Sequence, residues 1–487
     1  MSSLRRALVY SFAGKYSVLT IDFLAVMLIS RILTPEEIGL YSIAAASIVI
    51  GQVLRDFGLS LYLVKEKDLS TEKIQTCFTI SLAICWAITL FYYVMSPFAA
   101  KFFGRVEVEL LIQVLSINFI IIPFGTLSLS LLKRDLFFDK IMKSDIFSTI
   151  LRVIVTLTLA FQGEGVYALA IGSVVGTLAS VAFLLRYSKF IYYRINLTDV
   201  KKIIGFSSVI SLSNLISEFR QIIPEFVIGK YHSIEGVAFY SKASATSGIF
   251  SKLILQAVSP TIQPFLAKLN NSDSNLAQPV LKIFNYIQIF SIPFYVFVFS
   301  FSDPIVTLLY GEQWQSVPPL LEVICLSMIV ISLLPSVEQM LNVMGQEKFV
   351  LWLAIGMFLI RLIYIAIFVM YDFELLELLY LFLTLSILRL IILLPKIIKI
   401  FGVNFSSYSQ IVLNNSFISL VLGIEFFVII HYLQLNLYNP LIMLAILAVT
   451  FTTWLFMLLL TKHEILSELA RVAFFNNVKS KLKLRRE

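Results

Sequence analysis

An all-α, polytopic membrane protein of about fourteen transmembrane helices is what three observations predict. Hydrophobic residues make up 59% of the 487 and charged residues only 14%, whereas a soluble globular chain carries about 25% charge. Mean hydropathy is +0.90, so too little charged surface exists to cover a water-soluble fold this large. The apolar residues also gather in stretches of about 20, the length that crosses a hydrocarbon core, without the strict alternation of a barrel strand.

In chain order the spans are expected near 9–33, 38–64, 74–100, 108–132, 144–162, 166–187, 203–229, 237–262, 279–302, 319–344, 349–370, 375–395, 411–433 and 440–461. The first follows MSSLRR, but Lys15 and Asp22 interrupt it and no small-residue cleavage pattern follows. It is expected to stay as a span rather than to be removed as a signal peptide. The second ends near Arg55 and Asp56, and the third at its outer end carries Pro97 before Gly104. The seventh is the most polar, with Ser211, Asn214, Glu218 and Glu225 on one stripe and Ser213, Ser217 and Arg220 beside it. Pro224 loosens that helix where Glu225 sits. The thirteenth and fourteenth follow as additions, and a basic tail, 462–487, ends in SKLKLRRE.

Orientation follows from the basic residues, which translocate poorly. Most of the 38 lysines and arginines fall on one side: KEKDLSTEK from Lys65, KRDLFFDKIMK from Lys133, the stretch from Arg186 to Lys202, and the tail. Both termini are therefore expected in the cytoplasm of a cell with the protein in its inner membrane. The net charge of +8 reads as topology and contact with lipid headgroups, not as nucleic-acid binding. Cys77, Cys85 and Cys325 fall in or at the ends of spans, so no disulfide is expected. The loops are too short for a folded domain of about 50 residues, so a catalytic domain on a membrane anchor is excluded and no catalytic residue is assigned.

The chain repeats itself. At an offset of 199, RILTPEEIGLYSIAAAS from Arg31 matches KYHSIEGVAFYSKASAT from Lys230, pairing Glu36 with Glu235, Tyr41 with Tyr240 and Ser42 with Ser241. Thr34 and Ser233 are conservative partners in the same alignment. At an offset of 207, SPFAAKFFG matches DPIVTLLYG, placing Gly104 over Gly311. Six helices separate the copies, an even number, so both halves cross in the same direction as a parallel repeat. The expected organisation is a lobe of six helices at 1–188, a cytoplasmic connector at 189–202, a second six-helix lobe at 203–398 and the extra helices at 399–461. Two such lobes enclose a cleft that opens to alternate sides.

LTPEEIGLYSIAAA, DFGLSLYLVKEKDLS from Asp56 and LLYGEQWQSVPPLL from Leu308 resemble the bacterial polysaccharide exporter family, part of the multidrug/oligosaccharidyl-lipid/polysaccharide superfamily. The resemblance spans essentially the whole chain. It implies a flippase that carries a lipid-linked oligosaccharide, on undecaprenyl diphosphate, to the outer leaflet for surface polysaccharide synthesis, alongside other assembly proteins. An ion-coupled multidrug or cation antiporter of the same fold is the first alternative. A membrane polysaccharide polymerase or ligase is the second, against which the short outer loops argue.

Charges within the spans locate the site, since each costs roughly 2.5 to 3.5 kcal/mol at the bilayer centre even on a lenient scale. The basic set is Lys15, Arg55, Arg152, Arg220, Lys242, Lys252, Arg361 and Arg389, and the acidic set is Asp22, Asp56, Glu218, Glu225, Asp303, Glu322, Glu338 and Glu425. Lys15 and Asp22 are two turns apart on one face. Lys15, Arg55, Arg152, Arg220, Lys242 and Arg361 are the expected substrate contacts, arginine suiting a diphosphate through its planar fork. Asp22, Glu218 and Glu225 are the carboxylates expected to couple transport to H+ or Na+. For Asp22 a plain ion pair with Arg152 or Arg361 stands as the alternative, and Lys252 and Arg389 are expected to snorkel to the interface. Tyr192 and Tyr193 are expected in an interfacial belt. His232, His431 and His463 lie away from mid-span, so neither a metal site nor a central proton relay is expected, and no cofactor is required.

Overall fold

The computed structural model describes residues 2–56, 59–201, 203, 222–270, 275–433 and 435–468. Its elements are α1 (Ser2–Ile32), α2 (Pro35–Asp56), α3 (Leu59–Lys65), α4 (Thr71–Phe103), α5 (Glu107–Arg134), α6 (Phe138–Phe161), α7 (Tyr167–Leu185), α8 (222–231), α9 (Ile234–Ser247), α10 (Gln256–Asn270), α11 (Ala277–Ser300), α12 (Ser302–Tyr310), α13 (Val317–Ser332), α14 (Val337–Val343), α15 (Glu347–Met370), α16 (Leu375–Phe401), α17 (Phe405–Tyr432) and α18 (Pro440–Leu460). The chain is an all-helical, multi-pass membrane protein, and among the described residues twelve helical segments are long and apolar enough to cross a bilayer.

Those twelve coincide with twelve of the fourteen expected spans. The other two fall at 203–229, where 204–221 lie outside the described residues, and at 237–262. The latter is helical but interrupted: α9 stops at Ser247 and Ser251–Leu255 winds as a π-turn before α10. Hydroxyl groups account for the break. Thr246 Oγ1 donates to the Lys242 carbonyl at 2.8 Å and Ser247 Oγ to that of Ser244 at 3.0 Å, competing with the helical ladder just before Gly248.

The repeat is visible in the caps. Thr34 Oγ1 accepts from the Glu37 amide while the Glu37 carboxylate accepts from the Thr34 amide at 2.8 Å, a capping box that starts α2. Its partner Ser233 accepts from the Gly236 amide at 2.8 Å and starts α9. Gly104 and Gly311, paired at the second offset, end their helices with φ of 70° and 102°, a conformation glycine adopts without a Cβ clash.

The helices divide into two compact units, Met1–Ser241 with Tyr310–Trp314, and Lys242–Leu309 with Gln315–Glu487. In the first, α6 lies against α1 and α7, α5 joins α4 and α7, and α2 packs on α5. The connector docks onto α4: Gln75 donates to the Ile191 carbonyl at 2.9 Å and accepts from Asn196 at 3.1 Å. Tyr193, expected in an interfacial belt, is tied into the helices of this unit. Its hydroxyl donates to the Phe124 carbonyl and meets Ser128, each at 3.0 Å, and its ring stands edge-on to Phe78. The second unit is built on α11, which packs on α13 and α17, with α16 behind α13.

Candidate functional site

The first unit brings together charges from helices distant in sequence. α1 and α6 approach closely at Gly14, where a Cβ would meet Met142 Cγ at 2.9 Å. On the far side of α6, Gly172 and Gly176 of α7 form a small-xxx-small surface, and a Cβ at Gly176 would stand 2.9 Å from that of Arg152. Arg152 is thereby held over α1, where its guanidinium forms an ion pair with Asp22. Of the two partners the sequence offers Asp22, the fold supplies Arg152. The pair is not sealed in a dry core, since 35% of the Arg152 and 40% of the Asp22 side chain remain uncovered by protein.

Tyr41, on α2, opens onto a cavity of about 350 Å³. Ser42, Ala45, Ala46 and Val49 complete the α2 wall, Ile222 and Glu225 come from α8, and Ser241 from α9. On α2 these positions recur at three- and four-residue spacing, so they share one face. Gly39 lets α2 and α9 touch, because a Cβ there would collide with the Ile234 carbonyl. The repeat-related serines, Ser42 and Ser241, therefore line the same cavity. Glu225 lines the space and forms no ion pair among the described residues.

The remaining expected residues separate. Lys15 is half-buried and without an ion pair among the described residues. Lys242 follows Ser241 on α9 and is 8% exposed. Arg55 is half-buried in the last turn of α2. Glu218 and Arg220 lie outside the described residues. Arg361 belongs to the second unit, its guanidinium over the Phe382 ring at 4.4 Å from the centroid. Arg389 does not snorkel: it grips Glu338 through Nε at 2.9 Å and Nη2 at 2.7 and 2.8 Å. Among the described residues no group of three His, Cys, Asp or Glu side chains could hold a metal ion.

Tyr41, Ser42 and Ser241 are cavity residues that charge counting missed, although the repeat alignment paired Ser42 with Ser241. Gln313 and Trp314, inside the LLYGEQW motif, are also placed by the fold. Trp314 is wholly buried, donates from Nε1 to the Ser30 carbonyl at 2.9 Å, and sits edge-on to Phe239. Gln313 donates to the Leu33 carbonyl at 3.0 Å. Together they satisfy carbonyls that the end of α1 leaves open.

Chemically, the cavity offers a carboxylate, serine hydroxyls and a tyrosine. That set can bind hydroxyl-rich or charged groups. The chain is similar to the teichuronic acid biosynthesis protein TuaB of Bacillus subtilis, 24% identical over 290 residues that cover 57% of this chain and 58% of TuaB. It is 23% identical over 347 residues to the succinoglycan biosynthesis transport protein ExoT of Rhizobium meliloti, covering 71% and 70% of the two. The match thus spans less than two thirds of TuaB. The solved structure of the lipid II flippase MurJ, in an inward closed conformation, has the same fold, with a TM-score of 0.76 at 15% identity over 94% of this chain and 100% of that one. Residues 28–319, more than half of the chain, match the family described as polysaccharide biosynthesis protein, and the chain belongs to that family.

Proposed function

We propose that the protein is a flippase, a transporter and not an enzyme, which moves a lipid-linked oligosaccharide from the cytoplasmic to the outer leaflet of the inner membrane. Its N- and C-termini are cytoplasmic. The carrier is a polyprenyl diphosphate, and movement proceeds by alternating access of two six-helix lobes, 1–188 and 203–398. The physical task is to replace hydration. Hydroxyls and a diphosphate crossing about 30 Å of hydrocarbon lose their water, and each unpartnered polar group costs several kcal/mol.

The observation that carries this reading is the cavity where Glu225, Tyr41, Ser42 and Ser241 converge, in the same unit as the partly uncovered Arg152–Asp22 pair. Family membership and relatives named for teichuronic acid and succinoglycan biosynthesis support the sugar cargo. Glu225 is the coupling carboxylate in this reading, because it lines the cavity whereas Asp22 is paired with Arg152. The relatives named for polysaccharide biosynthesis and transport, rather than the cavity's charge, favour this cargo over the organic cations an antiporter would take.

The test is translocation in proteoliposomes of a synthetic undecaprenyl-diphosphate disaccharide bearing a fluorophore, read by an impermeant quencher. Wild-type protein is expected to flip it faster than protein-free vesicles, and Glu225→Gln to lower the rate about tenfold or more while leaving the melting temperature unchanged. Equal rates for wild-type and empty vesicles would end the flippase reading. Undiminished gradient dependence in Glu225→Gln would remove the coupling role.

A further inference from the structure

The wall of the cavity continues along α2 into a turn that is not an ordinary helix turn. Tyr92, on α4, donates its hydroxyl to the Ser47 carbonyl at 2.6 Å and accepts from the Gly51 amide at 3.0 Å. Those two backbone groups are the ones an unbroken α-helix joins to each other, so the phenol stands astride one rung of the ladder. A side chain inserted there is a recognised cause of helix bending. One turn earlier Ser47 Oγ donates to the Ile43 carbonyl at 2.9 Å, a second perturbation of the same ladder.

The wedge is held firmly. Tyr92 is 7% exposed and stacks on Phe119 with ring centroids 6.0 Å apart. Gly51 is required beneath it, since a Cβ would stand 2.7 Å from Tyr92 Cε2 and 2.9 Å from both Ile88 and Phe119. Beyond Gly51 the helix borders a nearly wholly apolar space of about 410 Å³ between α2 and α4, lined by Ile50, Leu54, Ile84, Ile88 and Phe91. A glycine, a rung whose two ends a side chain also engages, and free volume on one side of the next turn are together the requirements of a bending point. The segment on the far side, Gln52–Asp56, carries Arg55.

We infer that Tyr92 is a positioning residue whose hydroxyl makes Gly51 the bending point of α2, setting the angle between the cavity wall at Ser42–Val49 and the arm that bears Arg55. The inference rests on the flippase reading for its role in transport. Its geometric part stands independently. Arg55 is carried on the arm, so the angle at Gly51 sets where its guanidinium stands relative to the cavity wall.

Tyr92→Phe keeps the ring and removes the hydroxyl's hold on Ser47 and Gly51, which is expected to straighten α2. Spin labels at Gln52→Cys on the arm and Leu90→Cys on α4 report the angle in the full-length protein. The distance distribution is expected to shift and narrow in Tyr92→Phe, and to shift as well in Gly51→Ala, whose Cβ displaces the phenol. The fluorescent disaccharide is expected to flip roughly three- to tenfold more slowly in Tyr92→Phe, the worth of about one net hydrogen bond, with its half-saturating concentration unchanged. An unshifted distribution in both variants overturns the bending point, whatever the rate does. A shifted distribution with an undiminished rate overturns the link to transport. If wild-type protein flips nothing while the distribution still shifts, the flippase reading fails and the bend in α2 remains.

Discussion

Glu225 and Glu338 are both glutamates within or beside apolar helices, yet their surroundings differ. Glu225 in the first unit opens onto a cavity and forms no ion pair among the described residues. Glu338, on the short helix α14 of the second unit, is held bidentately by Arg389 of α16. The contrast extends to neutral groups. One group of neutral side chains in the second unit closes on itself: Asn415 donates to Asn285 Oδ1 at 3.0 Å and to Gln288 Oε1 at 3.3 Å, and Gln288 donates to the Leu333 carbonyl at 2.8 Å. A polar group in the membrane is tolerated either by a fixed partner or by water-accessible space. The first solution rigidifies a bundle, and the second leaves chemistry free for a ligand. Asp22–Arg152 lies between them, paired yet more than a third uncovered.

The sharpest way to break the comparison is to remove one member of the locked pair. Loss of a partner from a fully buried ion pair costs about 3 to 5 kcal/mol. With the two side chains 19% and 37% exposed, Arg389→Leu is expected to cost about 2 kcal/mol after solvent screening. Adding Glu338→Leu in the same chain should recover most of it, since no charge is then left alone. Thermal melts of the two variants in detergent decide the matter. A single variant as stable as wild type would place Glu338 with the open carboxylates, and the distinction between the units would fall.

A smaller effect is expected at the neutral network. Asn415 is wholly buried and spends its amide on Asn285 and Gln288, so Asn415→Leu leaves two buried acceptors short of a donor. Each such group costs about 1 to 3 kcal/mol, but His463 still serves Asn285, and a net loss of about 1 to 2 kcal/mol follows from that range. Flipping of the disaccharide at a temperature below both melts should be unchanged. A variant that loses transport while keeping its stability would make the network part of the site.

How much of this contrast was legible in the sequence depends on how local its cause is. The spans were, because hydropathy over about 20 residues is a local sum. The interruption after Ser247 was also written locally, in Thr246, Ser247 and Gly248, but the apolar residues of 237–262 outweighed it. The charges were legible as expensive and therefore as placed, but not their partners: Asp22 and Arg152 are 130 residues apart. What marks their meeting is small residues, Gly14 on α1 and the Gly172–Gly176 spacing on α7, which carry no charge signal. Ser42 and Ser241 were paired by the repeat before the cavity was known. Tyr92 is one of 21 tyrosines, and nothing in its own neighbourhood distinguishes a hydroxyl that enters another helix. Arg389 read as a helix-end cation, and only the fold brings α14 and Glu338 beneath it.

The smallest expected effect lies at His463, just past α18, where the second unit's network reaches its end. His463 is 4% exposed. The Ile465 amide donates to Nδ1 at 3.2 Å, so Nδ1 carries no proton, and Nε2 is the donor to Asn285 Oδ1 at 2.8 Å. Both contacts require the neutral ring, since a proton on Nδ1 would face an N–H. Burial accordingly holds the pKa of His463 below its ordinary value of 6.5, with the adjacent Glu464 pulling weakly the other way. The unfolded chain then binds the proton first as pH falls. Stability from this group is fully present above about pH 6.5 and drains away between that value and the lowered one, with the sign required by proton linkage. His463→Gln retains a donor and an acceptor without a titrating proton. Its melting temperature should fall less than that of wild type between about pH 7.5 and 5.5, while the two fall together if the ring is not the group that reads pH. Glu225→Gln, whose carboxylate lies in the open cavity rather than in this network, should leave the His463 contribution intact, and a double variant whose slope is the sum of the singles would keep the two regions distinct.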